Sequence, residues 1–334
     1  MYLTIMEIYK MKKLIAAAVA ASVSAVALAD ISITGSAQVN YTNVDEAGST
    51  PDTNKFTQET ALKVVGKSGD TSMVIGFGGA AMDANSDDNT GAEVSTATMN
   101  VEDIYMTTNV SGVSIKTGTW DNGNNELRQS ARKAGKFQAT TKVGDFDLGF
   151  LTSSAGASAE EFTVGTSLGG VALSFTQKNA GETIKASTSV GGVNVKYMGL
   201  PSDSTTSDKQ YVELSTKVGD VDIKAAKAEA DASVAIDGDT WMSDFEDTTG
   251  GAYDLSNDQD VTAIELKTAM AGNTVTFRNI RVDGVANADT DINKLIITRP
   301  LASGATFEAT YTNLDDYGTA NDSDTLDLEL RVNF

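Results

Sequence analysis

The sequence predicts an all-β fold: a transmembrane antiparallel up-and-down β-barrel of sixteen to eighteen strands, preceded by a cleaved signal peptide. Three observations predict it. Apolar and polar residues alternate through segment after segment, the period of a strand with one apolar and one wet face. Tight Gly-containing turns alternate with long connections rich in Asp, Asn, Ser and Thr. The final segment, Leu326 to Phe334, alternates cleanly and ends on an aromatic residue.

The first element is an address. Lys12 and Lys13 form a basic pair, Leu14 to Leu28 is a run of small apolar residues, and Ala27-Leu28-Ala29 is an A-x-A cleavage site. Residues 1–29 are therefore a signal peptide, cut between Ala29 and Asp30, with Met11 as an alternative start. Residues 30–334 form one domain of 305 residues. Removing the leader takes away three Lys and one Glu, which moves the net charge from −21 to −23.

Strands follow at once. Ile31, Ile33, Ala37, Val39 and Tyr41 share one face, and Ser32, Thr34, Ser36, Gln38 and Asn40 the other. The pattern recurs at Phe162–Leu168, Val171–Phe175, Ile184–Val190 and Phe307–Tyr311. Its clearest instance sets Leu326, Leu328, Leu330, Val332 and Phe334 against Asp327, Glu329, Arg331 and Asn333.

Tight turns fall at 67–70, 110–112, 143–145, 168–170, 190–192, 218–220, 270–272 and 302–304, where Gly and Asp supply the positive φ of short hairpins. Eight such turns plus a first and a last strand give eighteen strands. At about ten residues per span the length suits sixteen or eighteen. Pro51, Pro201 and Pro300 all fall outside strands, as a missing ladder donor requires. Two stretches break the pattern: the apolar phase slips by one near Arg278 to Val282, and Leu295-Ile296-Ile297 is continuous. A bulge or an interchain contact is the expected cause.

Composition closes off other classes. The chain has no His and no Cys, which removes the commonest general base, the thiol nucleophile, disulfides and cysteine-held metals. The reading is therefore not an enzyme and requires no cofactor. A net charge of −21 repels phosphates and argues against nucleic acid. A soluble sandwich also alternates, but Greek keys break the strict order of long and short connections, and no strand here reads as apolar on both faces. In lipid every backbone N–H and C=O must be paired, so only a closed sheet spans. The last strand must then seal against the first.

At this point the residues resemble a family. Leu326-Asp-Leu-Glu-Leu-Arg-Val-Asn-Phe334 resembles the assembly signal of Gram-negative outer-membrane barrels, carried by Leu330, Val332 and Phe334. Val101 to Trp120 is similar to the strand–turn–strand that precedes the constriction loop of general porins, although Trp120 stands where their Arg follows. The resemblance implies a trimeric channel in the cell outer membrane, passing ions and small hydrophilic solutes by passive diffusion. It also implies contact with membrane lipid and lipopolysaccharide, and delivery by the barrel-assembly machinery. The alternatives are a substrate-selective outer-membrane channel and a structural or adhesive surface β-protein.

Candidate residues follow. By the porin likeness, segment 121–133 folds into the lumen, so Asp121, Glu126, Arg128, Arg132 and Lys133 are constriction candidates. By phase, Lys116, Lys136, Lys185, Lys196, Lys224, Lys267, Glu213, Glu265, Glu308, Glu329 and Arg331 face the lumen. The acidic connection 230–260 offers Asp237, Asp239, Asp244 and Asp247 as candidate Ca²⁺ ligands, without an EF-hand register. Tyr41, Phe56, Phe77, Tyr105, Trp120, Phe150, Phe175, Tyr197, Phe277 and Tyr311 lie near strand ends and suit interfacial girdles.

Overall fold

The computed structural model describes residues 30–46, 53–79, 84–85, 99–121, 133–154, 160–178, 181–201, 209–230, 259–283, 289–317 and 322–334. The strands run β1 (Asp30–Glu46), β2 (Thr53–Ser68), β3 (Thr71–Gly79), β4 (Ala84–Asn85), β5 (Met99–Val110), β6 (Val113–Trp120), β7 (Lys133–Val143), β8 (Phe146–Ser153), β9 (Glu161–Leu168) and β10 (Val171–Lys178). They continue with β11 (Gly181–Val190), β12 (Val193–Leu200), β13 (Lys209–Val218), β14 (Val221–Ala230), β15 (Gln259–Met270), β16 (Asn273–Asp283), β17 (Asp289–Pro300), β18 (Ala305–Tyr317) and β19 (Ser323–Asn333).

Every long strand pairs antiparallel with its chain neighbours, and β3 pairs with β5 across the two-residue β4, which caps the end of β2. The ring closes where β1 meets β19, from Ser36↔Asn333 to Glu46↔Ser323. Gly35 and Phe334 lock the seam, N to O at 2.7 and 2.9 Å in the two directions. The result is a closed barrel of eighteen long strands, the number that the tight turns predict.

The turns show how the sequence makes it. In four of them both central residues have positive φ, including the non-glycines Ser111 (53°) and Ala271 (52°), as type I′ hairpins demand. Gly69, Gly144 and Gly219 take positive φ ahead of an Asp, the type II′ arrangement.

The two faces have opposite chemistry. Directly opposed residues on neighbouring strands share a face. Outward positions include Val39, Phe56, Phe162, Val212, Leu214, Leu330 and Val332, all exposed, while the buried side chains include Lys136, Lys209, Glu213, Glu265 and Lys294. That inverts a soluble protein's arrangement. Soluble monomers rarely expose an apolar patch above a few hundred Å², whereas each such side chain gains roughly 1.5–3 kcal/mol on leaving water for hydrocarbon.

Four sequence expectations are corrected here. Pro300, expected outside a strand, is the last residue of β17, opposite Thr306. No bulge interrupts β16 or β17, whose registers run unbroken. Ile280, Val282 and Ile292 instead face inward, packed with Met198, Tyr211, Ala228 and Val261 in an apolar patch of the inner wall. There β16 is apolar inside, so the phase only seemed to slip. Finally, Tyr105 and Trp120 do not join an outer girdle; both face inward, Trp120 only 3% exposed.

Candidate functional site

The inner wall is the candidate site, and the strand register sets its composition. Lys185 shares its face with Met198, Lys196 with Glu213, and Lys224 with Ser215 and Glu265. The row continues across Arg278 and Lys294, so β14 to β17 present three cations around one carboxylate. Arg278 Nε donates to Glu265 Oε2 at 2.6 Å, with both side chains largely shielded. Lys267, Glu308, Glu329 and Arg331 occupy the same inner face, and Arg331 Nε donates to Gln38 Oε1 at 3.0 Å across the seam.

Around the circumference the charges segregate. Among the described inner-face residues from β6 to β17, cations (Lys116, Lys136, Lys142, Lys178, Lys185, Lys196, Lys209, Lys217, Lys224, Lys267, Arg278 and Lys294) outnumber Asp147, Glu161, Glu213, Asp222 and Glu265. From β18 through the seam to β5 the balance reverses. There Asp30, Glu59, Glu102, Asp103, Glu308, Asp327 and Glu329 outnumber Lys55, Lys63, Lys67 and Arg331. A solute inside therefore meets an acidic arc and a basic arc, and a field runs across the lumen.

Two bulges sharpen the local geometry. The register of β3 against β5 shifts at Gly76/Phe77, where Glu102 and Asp103 crowd the facing glycines. A Cβ on Gly78 would lie 2.2 Å from the Glu102 carboxyl, and one on Gly76 3.2 Å from Asp103 Cβ. The bulge thus aims two adjacent carboxylates into the lumen. The second shift lies between Gly118 and Trp120, against β7. Gly118 has φ 136°, and a Cβ there would sit 2.2 Å from the Ile104 carbonyl oxygen. Only glycine fits there, and Trp120, in phase with Lys116 and Gly118 along β6, faces inward opposite the extra residue of β7. Lys136 Nζ donates to the Trp120 carbonyl at 2.7 Å. Lys116 Nζ lies 4.0 Å from the Tyr105 ring centre and 4.4 Å from that of Trp120, within cation–π range.

The sequence reading missed this cluster because it sorted aromatics by nearness to strand ends and not by phase. The signal was present in the shared phase of Lys116, Gly118 and Trp120 along β6.

Of the constriction candidates, Asp121 directly follows β6 and Lys133 opens β7 opposite Trp120. Glu126, Arg128 and Arg132 lie outside the described residues, as do the Ca²⁺ candidates Asp237, Asp239, Asp244 and Asp247 and the leader with Ala29. Among the described residues no group of three or more acidic side chains is placed to hold a metal.

No protein-family model matches the chain, and no curated protein does. Solved structures do. Pseudomonas aeruginosa OccK5 (OpdH) is similar at TM-score 0.64 and 12% identity, over 91% of this chain and 98% of that one. P. aeruginosa OccK8 (OprE) is similar at 0.63 and 11%, over 91% and 98%. A BenF-like porin from Pseudomonas fluorescens Pf-5 is similar at 0.63 and 12%, again over 91% and 98%. At such identities the likeness is one of fold.

Proposed function

We propose that this chain is an integral outer-membrane channel that admits small hydrophilic solutes and ions by diffusion and selects among them through its wall charges. One observation carries the reading: a closed eighteen-strand barrel, apolar outside, whose inner face divides into an acidic and a basic arc. A barrel this wide is not filled by its own strand side chains and leaves room for water. Charges lining a narrow aqueous path then decide what passes.

The sequence favours a general pore, with a substrate-selective channel as its alternative. The alternative is now the better reading. The structures this barrel resembles include a BenF-like porin, and segregated arcs orient a dipolar solute in a way a mixed wall does not. Segment 121–133 belongs to the proposal as a contributor to the narrowest section. So do a homotrimer, lipopolysaccharide contact and delivery by the assembly machinery.

The test is planar-bilayer recording on refolded full-length protein. Discrete conductance steps in KCl, with a reversal potential displaced under a salt gradient, are expected. Exchanging Arg128 and Arg132 for Glu is expected to move that potential. A silent bilayer around a folded, heat-modifiable barrel overturns the channel and favours a structural role.

A further inference from the structure

Between β6 and β10 the inner wall is recessed, with a hollow of about 680 Å³ open to the lumen, within the range of small-molecule sites. The floor is Gly149 on β8 and Gly165 on β9, opposed to Thr163 and Asp147. The backbone requires neither glycine. Neither has positive φ. An added Cβ would meet Thr163 Cβ at 3.4 Å from Gly149 and Asp147 Cβ at 3.6 Å from Gly165, which are ordinary contacts. Gly118 is the opposite case, where a side chain cannot fit. Glycine weakens a strand interior, so what these two supply is open space.

Three polar groups around that space are unengaged. Among the described residues, the side chains of Gln138, Thr140 and Ser174 have no hydrogen-bond partner, whereas Thr163 shares a 2.9 Å hydroxyl contact with Thr176. The charges at the rim balance, Lys116, Lys142 and Lys178 against Asp121, Asp147 and Glu161. Glu161 holds Lys178 at 3.0 Å, Asp147 lies 3.8 Å from Lys142, and the Lys116 ammonium rests between two aromatic rings.

We propose that this recess holds a neutral polyhydroxylated solute of hexose size during passage, an inference that rests on the channel reading above. Hydroxyl and amide groups that both donate and accept match a solute whose hydroxyls do the same. A net-charged solute finds no surplus charge at this stretch, although it lies within the basic arc. Gly149 and Gly165 admit the ring, and Gln138, Thr140 and Ser174 bind it.

The test uses full-length protein in planar bilayers with D-glucose as probe. Glucose is expected to interrupt the KCl current saturably, and glycine betaine, which lacks hydroxyls, is not. Replacing Gly149→Leu and Gly165→Leu together fills the floor and is expected to abolish the interruptions while ion selectivity stays. Gln138→Ala and Ser174→Ala are each expected to weaken apparent affinity about five-fold, the size of one lost hydrogen bond. Interruptions unchanged in the double-leucine variant overturn the recess. So does interruption by L-arginine and not by glucose. A second readout is independent of conduction: Trp120 fluorescence in a Trp241→Phe background, titrated with glucose in detergent. A saturable change is expected, and a flat titration overturns the recess even in a channel that conducts. A silent bilayer overturns the channel reading, and the titration still decides the recess.

Discussion

Replacing Gly118 by alanine tests the bulge that shapes the inner wall beside β6. Gly118 sits at φ 136°, where β6 shifts register against β7. A Cβ would lie 2.2 Å from the Ile104 carbonyl oxygen and 2.6 Å from Tyr105 Cα. Both are backbone atoms of the paired strand, so no side-chain rotation relieves the clash. Left-handed strain for a non-glycine costs about 1–3 kcal/mol, and forcing a methyl into a filled site costs about 1–3 kcal/mol more. The expected loss is therefore about 2–6 kcal/mol. Gly149→Ala is the control in the same sheet. Its Cβ meets nothing closer than 3.4 Å, and the expected change is within about 0.5 kcal/mol of wild type. Urea unfolding in phosphatidylcholine vesicles, followed by tryptophan fluorescence, measures both. Equal stability of the two variants would refute the close approach of β6 to β5 at Gly118.

Other perturbations reach the seam and the charged wall. Phe334→Asp puts a carboxylate on the outer face beside the Gly35–Phe334 lock. An outward Arg or Lys costs up to about 4 kcal/mol at the bilayer midplane and about 1 kcal/mol or less near the interface, and an Asp costs less. The heat-modifiable band in outer-membrane fractions is expected to fall while export continues, and a normal band would contradict the seam. Replacing Lys185, Lys196 and Lys224 by Gln together removes charge from the basic arc. At about 10 Å one charge is worth about 0.4 kcal/mol in water, cut roughly three-fold by 0.1 M salt. The cation-to-anion permeability ratio is expected to rise about four-fold, and an unchanged ratio would place these amines off the conducting path. In 1 M KCl, where the Debye length is about 3 Å, the same triple variant is expected to differ little from wild type. A shift that persists there would rule out a screened wall charge as its cause.

The barrel was legible in the sequence because its signals are local and repeated. A turn such as Gly191-Gly192 announces itself within four residues, and alternation from Leu326 to Phe334 assigns each side chain a face without knowledge of the partner strand. The arcs were half legible. Phase put Lys224 and Glu265 inside, but only register shows that they are neighbours and that Arg278 and Lys294 extend the row. The inner apolar patch misled the reading at Arg278 to Val282, since periodicity equates a wet face with the lumen and Ile280 breaks that equation. Trp120 shares the phase of Lys116 and was misassigned by its place at a strand end, whereas the Glu102–Asp103 pair was illegible for a different reason. A bulge changes the residue count between two strands, and that count is a property of the pair.

The central claim is a sheet closed around water with lipid outside, and β19 tests it most directly. The chain has no native cysteine, so single thiols can be placed along this strand without background. In protein reconstituted in vesicles, Asp327→Cys, Glu329→Cys and Arg331→Cys are expected to react with a charged, water-soluble thiol reagent. Leu326→Cys, Leu328→Cys and Leu330→Cys, labelled with a fluorophore, are expected to be quenched by nitroxide lipids and spared by the aqueous reagent. Reactivity that fails to alternate, or alternates in the opposite sense, would contradict the barrel as a membrane channel.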